Sequence, residues 1–401
     1  MSKLRRAQDV RVRIGQRLAV SMANIIAARY EKTPAVDIAI SSVVCGDEVA
    51  CSLPVVAVVH DLPSGEWVDE LSVREWLGVN VGQLDALKQA GVLISDDADP
   101  WLTLLRQRDN ALTRSGWNTR ALHNYAASRW QGVTQPVRET DDKPARSANT
   151  RAAFKRQAQA HGAAPAAFHS RDGIGSQISL APPSPSSALT ELLARRETVR
   201  LFDESTPLTQ AHLSSVLRYM AGVQGEMDAG GGFTLLKKFN PSGGALHALE
   251  VYPFVLNVEA LDCGFYHYRA SDHSLTPLTR LDRDNAKQIA IDYLAGQTWY
   301  GSAHCLFFIT ARFDRSFWKY RQHDKALHSL FVDAGHISQT LYLLSTELGL
   351  GSFVSLAMND KDLEHALDLD FTQEGLIAAC GVGVRKASSD DDSYTFHYTP
   401  R

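Results

Sequence analysis

Three short stretches of the chain carry residue types that could do chemistry. The first is Arg195-Arg196-Glu197-Thr198-Val199-Arg200. Guanidinium forks match the geometry of phosphate oxygens, and a threonine hydroxyl adds a donor. This is a candidate phosphate seat; the plainer alternative is a solvated basic helix end favoured by the helix dipole. The second is Asn240-Pro241-Ser242-Gly243-Gly244-Ala245. Two glycines after a Pro-Ser turn let backbone approach a flat ligand closely. The spacing is neither that of a dinucleotide-binding turn nor that of a P-loop, and an ordinary turn before a strand is the alternative. The third region holds Trp318-Lys319-Tyr320-Arg321, then Asp333-Ala334-Gly335-His336, then Glu347-Leu348-Gly349-Leu350-Gly351-Ser352. Lysine beside tyrosine offers a base and a phenol that can donate or accept a proton. His336 reads as a satisfied core histidine. Gly335 costs about 1 kcal/mol against alanine inside a helix, which implies close packing against a neighbour. Gly349 and Gly351 read as a helix C-cap followed by a close backbone contact.

These residues need elements to hold them. A short helix over Leu189–Ala194, opened by Ser186 and Ser187, would present the arginines. An amphipathic helix over Leu208–Met220 and a strand over Val251–Val258 flank the glycine turn. A hairpin from Gly264 to Leu278 turns at Ser271 and Asp272, and a helix spans Leu281–Gly296. A buried strand over Leu306–Ala311 precedes the Lys-Tyr pair. A long helix over Leu327–Leu348, apolar on nearly all faces, should be largely buried, and a strand covers Ala378–Val384. The order is α+β or α/β. Upstream, Val36–Val44 and Leu53–Val59 are β-branched runs that predict strands. Helices over Ser72–Leu77 and Asn80–Ala90, then a strand after Gly91, give a winged-helix-like order. Arg108–Trp130 reads as helical.

Residues 162–187 are dominated by Gly, Pro, Ser and small residues and read as a linker. The expected organisation is a winged-helix-like domain over 1–100, a helical segment and linker over 101–186, and a third domain over 187–401. With 401 residues the chain can bury a large core. Its 41 Lys and Arg against 45 Asp and Glu leave a net charge of −4, which argues against a nucleic-acid binder. The five cysteines, Cys45, Cys51, Cys263, Cys305 and Cys380, show no zinc spacing and read as reduced, buried thiols of a cytoplasmic protein, so no metal site is expected. No apolar run reaches the roughly 18 residues of a membrane span. Six basic residues from Lys3 to Arg17 precede the mildly apolar stretch Leu18–Ala28, which reads as a surface strand or helix rather than a secretory signal.

Singly the motifs decide little; their order says more. Arg-Arg-x-Thr-x-Arg, Pro-Ser-Gly-Gly-Ala, the hairpin Gly264-Phe265-Tyr266-His267-Tyr268 with His273 and Leu275, Lys-Tyr, Asp-Ala-Gly-His and Glu-Leu-Gly-Leu-Gly-Ser together resemble the nitroreductase-like flavoproteins. Within these the chain is similar to the SagB-type dehydrogenases, which oxidise azolines in ribosomally made, modified peptides. The resemblance covers about 215 residues from Ser187 onward. The phosphate motif is common to all nitroreductase-like proteins; the Tyr-x-Tyr hairpin and the adjacent Lys-Tyr are more specific. Gly116 to Trp130 (GWNTRALHNYAASRW) resembles a subgroup labelled peptide maturation dehydrogenases.

The resemblance implies a mixed four- or five-stranded sheet wrapped by helices, in an intertwined homodimer with FMN at the interface. Arg196, Thr198 and Arg200 would hold the FMN phosphate, with Arg195 as neighbour. Ser242, Gly243 and Ala245 would lie along the ring and ribityl chain, and Leu350 and Gly351 near the other edge. Arg385 or Lys386, after the strand ending at Val384, would add a phosphate contact. Glu197 departs from the small or aromatic residue expected there and should point away. Lys319 and Tyr320 match the catalytic pair, removing the Cα proton of a thiazoline or oxazoline as hydride leaves Cβ, with oxygen as the final acceptor. The implied partners are a modified precursor peptide and a cyclodehydratase. An exposed edge of the GVLIS strand after Gly91 could capture a leader peptide; otherwise the N-terminal part shields the flavin. The alternatives are a nitroreductase or flavin reductase using NAD(P)H, and a non-catalytic scaffold subunit.

Overall fold

A computed structural model describes residues 2–19, 31–112, 114–134, 143–168, 178–181 and 186–386. Much of the stretch Leu18–Ala28, and much of the Gly/Pro/Ser-rich segment 162–187, lie outside the described residues.

The strands run β1 (Lys3–Arg6), β2 (Val10–Ala19), β3 (Glu31–Ser42), β4 (Glu48–Ala50), β5 (Val68–Asp69), β6 (Leu93–Ser95), β7 (Val223–Asp228), β8 (Thr234–Lys238), β9 (Leu249–Val255), β10 (Gly264–Arg269), β11 (Ser274–Pro277), β12 (Cys305–Arg312), β13 (Leu350–Ser355) and β14 (Glu374–Val384). The C-terminal half is built on one sheet in the order β11-β10-β9-β12-β14-β13. Its strand pairs are all antiparallel among the described residues, where a mixed sheet was expected. A parallel contact survives in the isolated bridge between Leu208 and Val258.

Side chains alternate across a strand, so a central strand feeds two cores. Cys305, Phe307, Ile309 and Ala311 of β12 join the core under the Lys325–Glu347 and Gln210–Ala221 helices. Leu306 and Phe308 join the opposite core, under the Arg283–Tyr293 helix. A register shift at Ile309/Thr310 lets Ile377 of β14 bulge out of the ladder, so Ile377 and Ala378 both face the first core. Cys45, Cys305 and Cys380 are buried, and Cys51 and Cys263 are partly so.

Upstream, β5, β1 and β6 form a three-stranded antiparallel sheet, and β2, β3 and β4 another. Leu53–Val59, expected as a strand, lies in a helix over Leu53–Asp61. Pro54 suits a first helical turn, and Val55 and Val59, four residues apart, are the face it buries. The Glu70–Leu77 helix is capped by Asp69, and Val81–Gln89 by an Asn80/Gln83 capping box. Strand β6 follows Gly91 as expected; its three residues are buried, and it stands at the end of its sheet, paired with β1.

The segment after residue 100 is more than a connector. Its helices, Pro100–Leu112 and Thr119–Ser128, lend Leu105, Trp117, Leu122 and Tyr125 to the same core as the large sheet. Trp117 Nε1 donates to Thr372 O at 2.8 Å, and Tyr125 OH donates to Leu376 O at 3.0 Å. Arg129 donates to Glu364 at 2.7 Å and lies 3.4 Å over the Phe371 ring. The Trp130 amide donates to Asp360 at 3.1 Å. Burial, reinforced by nearby Glu364, pushes the Asp360 carboxyl up to about 7. The folded chain therefore holds this proton more tightly than the unfolded one, so stability falls as pH rises from about 4 through about 7. Asp360→Asn is expected to flatten that decline: the urea midpoint should drop between pH 5 and pH 8 by more in wild type than in the variant. Equal drops would contradict it.

Candidate functional site

The Ala188–Arg195 helix is opened by a Ser187/Thr190 capping box and ends at Arg196. The chain then straightens and is pinned by the Val199 amide donating to Ser352 O of β13 at 2.9 Å. This places Arg196 and Thr198 beside Tyr342 of the Lys325–Glu347 helix. The Arg196 guanidinium sits 5.4 Å from the Tyr342 ring centre, and the Thr198 and Tyr342 hydroxyls are 3.0 Å apart. Arg195 and Arg196 have no carboxylate partner among the described residues. Arg200 is partly buried on the same segment. Arg196, without a carboxylate partner among the described residues and set beside the Thr198 and Tyr342 hydroxyls, suits an anion seat rather than a salt-bridged surface. Arg385 is committed elsewhere: it pairs with Glu197, which accordingly turns to the outer side.

The glycine turn is anchored from below. Ser242 Oγ donates to Asp333 at 2.5 Å, and the Gly243 amide donates to the same carboxylate at 3.2 Å. Ser242 Oγ also accepts from the His247 amide at 2.9 Å. Gly244, Ala245 and His247 all have positive φ, at 64°, 56° and 46°. Left-handed alanine and histidine backbone is costly and persists only where the surroundings enforce it, often at a functional site. His247 is held down to about 4 by burial and by nearby Lys238 and Arg315, so it is neutral near pH 7.

The Phe313–Lys319 helix delivers the Lys-Tyr pair to this turn. Lys319 Nζ donates to Gly244 O at 3.1 Å. A Cβ on Gly244 would collide with the Tyr320 hydroxyl and come within 2.8 Å of Lys319 Nζ. Gly244 is thus required twice, for its left-handed backbone and for the room it gives two proton-transferring groups. The β7–β8 hairpin covers the helix from outside: Phe233 stacks on Trp318 at 4.5 Å, and Arg315 donates to Thr234 O and Leu246 O, each at 2.6 Å.

One helix unites the three motifs. Tyr342 supports the arginine segment and Asp333 holds the glycine turn, nine residues apart and so about 13 Å along the axis. Leu350 and Gly351 open β13 beside the arginine segment. The bare face of Gly351 is filled by Val199, whose Cγ1 lies 2.5 Å from where a Cβ would be, so this glycine serves internal packing. Gly349, at φ 70°, follows the helix end as read from sequence.

Other expectations are corrected. His336 is partly exposed and its Nδ1 lies 3.2 Å from Pro241 O, so it is not a core histidine. Gly335 meets nothing within 4 Å. The helix is not buried all round, since Phe331 and Val332 remain 43% and 57% exposed. Tyr266 and Tyr268 of the hairpin are framework residues, bonded to Asp262 O and His273. Tyr342 and the anchoring role of Asp333 were not foreseen; a tyrosine on a long helix gives no signal of its partner.

Among the described residues no helix is long and apolar enough to cross a membrane. A family model described as the nitroreductase family matches residues 193–384. MJ1384 of Methanocaldococcus jannaschii, a nitroreductase by name, is 31% identical over 181 residues, covering 45% of this chain and 84% of that protein. The trifolitoxin-processing protein TfxB of Rhizobium leguminosarum bv. trifolii is 30% identical over 148 residues, covering 36% of this chain and 39% of that protein. A chain from the E. coli microcin synthetase McbBCD complex with truncated pro-MccB17 bound aligns with TM-score 0.42 and 16% identity over 61% of this chain and 94% of that one.

Proposed function

The chain belongs to the nitroreductase family, whose members bind FMN, and from that premise we propose that it is an FMN-dependent dehydrogenase of the SagB type that converts thiazoline or oxazoline rings of a ribosomally made peptide to azoles. The residues fit the cofactor: Arg195 and Arg196, with no carboxylate partner among the described residues, suit its phosphate, and the left-handed turn at Gly244 brings Lys319 and Tyr320 together against backbone that carries no side chain. Arg196, Thr198 and Arg200 would hold the phosphate, with Arg195 adjacent. Ser242, Gly243 and Ala245 would border the ring system, and Leu350 and Gly351 its other side. When bound, FMN supplies the hydride acceptor.

The observation that carries the reading is the convergence of Lys319 Nζ and Tyr320 OH on Gly244. Abstraction of an acidic Cα proton needs a base next to the hydride acceptor, and a lysine–phenol pair supplies a base and a relay. Loss of that proton with hydride from the adjacent carbon leaves an aromatic ring, with oxygen as terminal acceptor. Likeness to a trifolitoxin-processing protein supports a peptide substrate, although the chain spans only 39% of that protein. A cyclodehydratase would make the azoline upstream. A homodimer is part of this reading. Leu189 and Leu193 stay exposed on a helix packed against the Lys325–Glu347 helix, which itself exposes Phe331 and Val332, and these are apolar groups that a partner subunit would cover. We also read residues 1–100 as a winged-helix-like module.

A second reading, an NAD(P)H-dependent nitroreductase or flavin reductase, is favoured by the broad match to MJ1384. Anaerobic mixing separates them. Bleaching of bound flavin by a thiazoline-containing peptide, and not by NADPH, supports the dehydrogenase; rapid bleaching by NADPH alone supports the alternative.

A further inference from the structure

A cavity of about 560 Å³ opens on the far side of the helix that carries Lys319. One wall is the Pro100–Leu112 helix and the loop to Trp117, and the other is Phe313 to Arg321. The walls are tied together. Trp117 is buried and stacks on Phe317 at 4.1 Å, and Gly116 sits so close to Phe317 O that no side chain would fit there. The Gln322 amide donates to Gly116 O at 2.8 Å, and Asn118 donates to Gln322 O at 3.2 Å.

The lining has a definite chemistry. Arg114 and Arg321 reach it without a carboxylate partner among the described residues. Its carboxylate, Asp314, already lies 3.4 Å from Arg312. Trp318, stacked on Phe233 by one face, gives an aromatic wall, and Gln107 gives an amide that can pair with peptide backbone. The volume falls within the range of sites that enclose a small ligand or a few residues of a peptide.

We propose that this cavity binds an acidic, aromatic-containing segment of the peptide substrate, outside the ring that is oxidised. The acidic-peptide chemistry follows from two guanidinium groups that have no carboxylate partner among the described residues, Arg321 being held only by the Arg114 and Ser115 carbonyls at 3.5 Å; that the segment belongs to the oxidised peptide rests on the function proposed above. Phe317 and Trp318 line the cavity and immediately precede Lys319 and Tyr320, so a seated peptide braces the segment that holds the catalytic pair.

The test needs no turnover. Fluorescein-labelled peptides of eight alternating Glu and Tyr, or Lys and Tyr, are titrated with FMN-loaded protein and followed by anisotropy. The acidic peptide should bind, weaken as salt is raised, and bind at least about tenfold more weakly to Arg114→Glu/Arg321→Glu. Arg114→Lys/Arg321→Lys should recover part of the loss, and both variants should keep wild-type flavin content. Equal binding of the two peptides, no binding of the acidic one, or unchanged binding in the Glu variant overturns the proposal. Because binding is read without oxidation, its failure is distinct from failure of the dehydrogenase assignment.

Discussion

Lys319→Ala and Tyr320→Phe should each lower peptide oxidation by about 10²- to 10⁴-fold while the purified protein keeps its flavin. The argument starts from position. Lys319 ends the Phe313–Lys319 helix and Tyr320 caps it, so both side chains leave the helix at the point where it meets the glycine turn. Lys319 Nζ bonds Gly244 O, and the Tyr320 hydroxyl occupies the space a Gly244 side chain would fill. Neither group belongs to the arginine segment proposed to hold the phosphate, so neither substitution should release the cofactor. Tyr320→Phe keeps the ring and its packing and removes only the hydroxyl, so its effect should fall on kcat more than on KM. Steady-state oxidation of a thiazoline peptide, with flavin content read from absorbance, checks both points. Unchanged turnover in both variants would remove the catalytic assignment.

Arg196→Ala should weaken FMN binding by about 10- to 150-fold, the equivalent of about 1.5–3 kcal/mol for hydrogen bonds to a charged group. The guanidinium has no carboxylate to fall back on among the described residues, and it is oriented by the Tyr342 ring rather than by a salt bridge. Arg196→Lys should be intermediate, since it keeps the charge and loses the planar fork. Arg385→Ala serves as the contrast. Its partner is Glu197, so its removal should change FMN affinity little. Titration of apoprotein with FMN, followed by flavin fluorescence quenching, measures all three. Retained affinity in Arg196→Ala would move the phosphate seat elsewhere.

What could be read in advance divides along physical lines. Local signals were legible: the Ser187 cap, the glycine after the Lys325–Glu347 helix, and the arginine run at a helix end. These depend on residues within one turn of each other. Leu53–Val59 misled because a run of valines is strand-like by type, whereas Pro54 and the spacing of Val55 and Val59 favour a helix with one buried face. The β7–β8 hairpin went unseen, its tip being three glycines and its strands mostly polar. Gly335 was read as a packing glycine, but among the described residues it faces open space. Contacts between distant parts of the chain were out of reach. Trp117 bonds Thr372 across 255 residues, and Ser242 meets Asp333 across 91. Composition places such residues in a core or a turn without saying what they touch there.

The central claim is that Lys319 and Tyr320 serve ring oxidation in a peptide. The most direct measurement is the mass of a thiazoline-containing peptide before and after incubation in air with FMN-loaded protein. The account predicts loss of two hydrogens per ring with wild type and no loss with Lys319→Ala. A peptide recovered at unchanged mass, from a protein whose flavin NADPH bleaches rapidly, would contradict it.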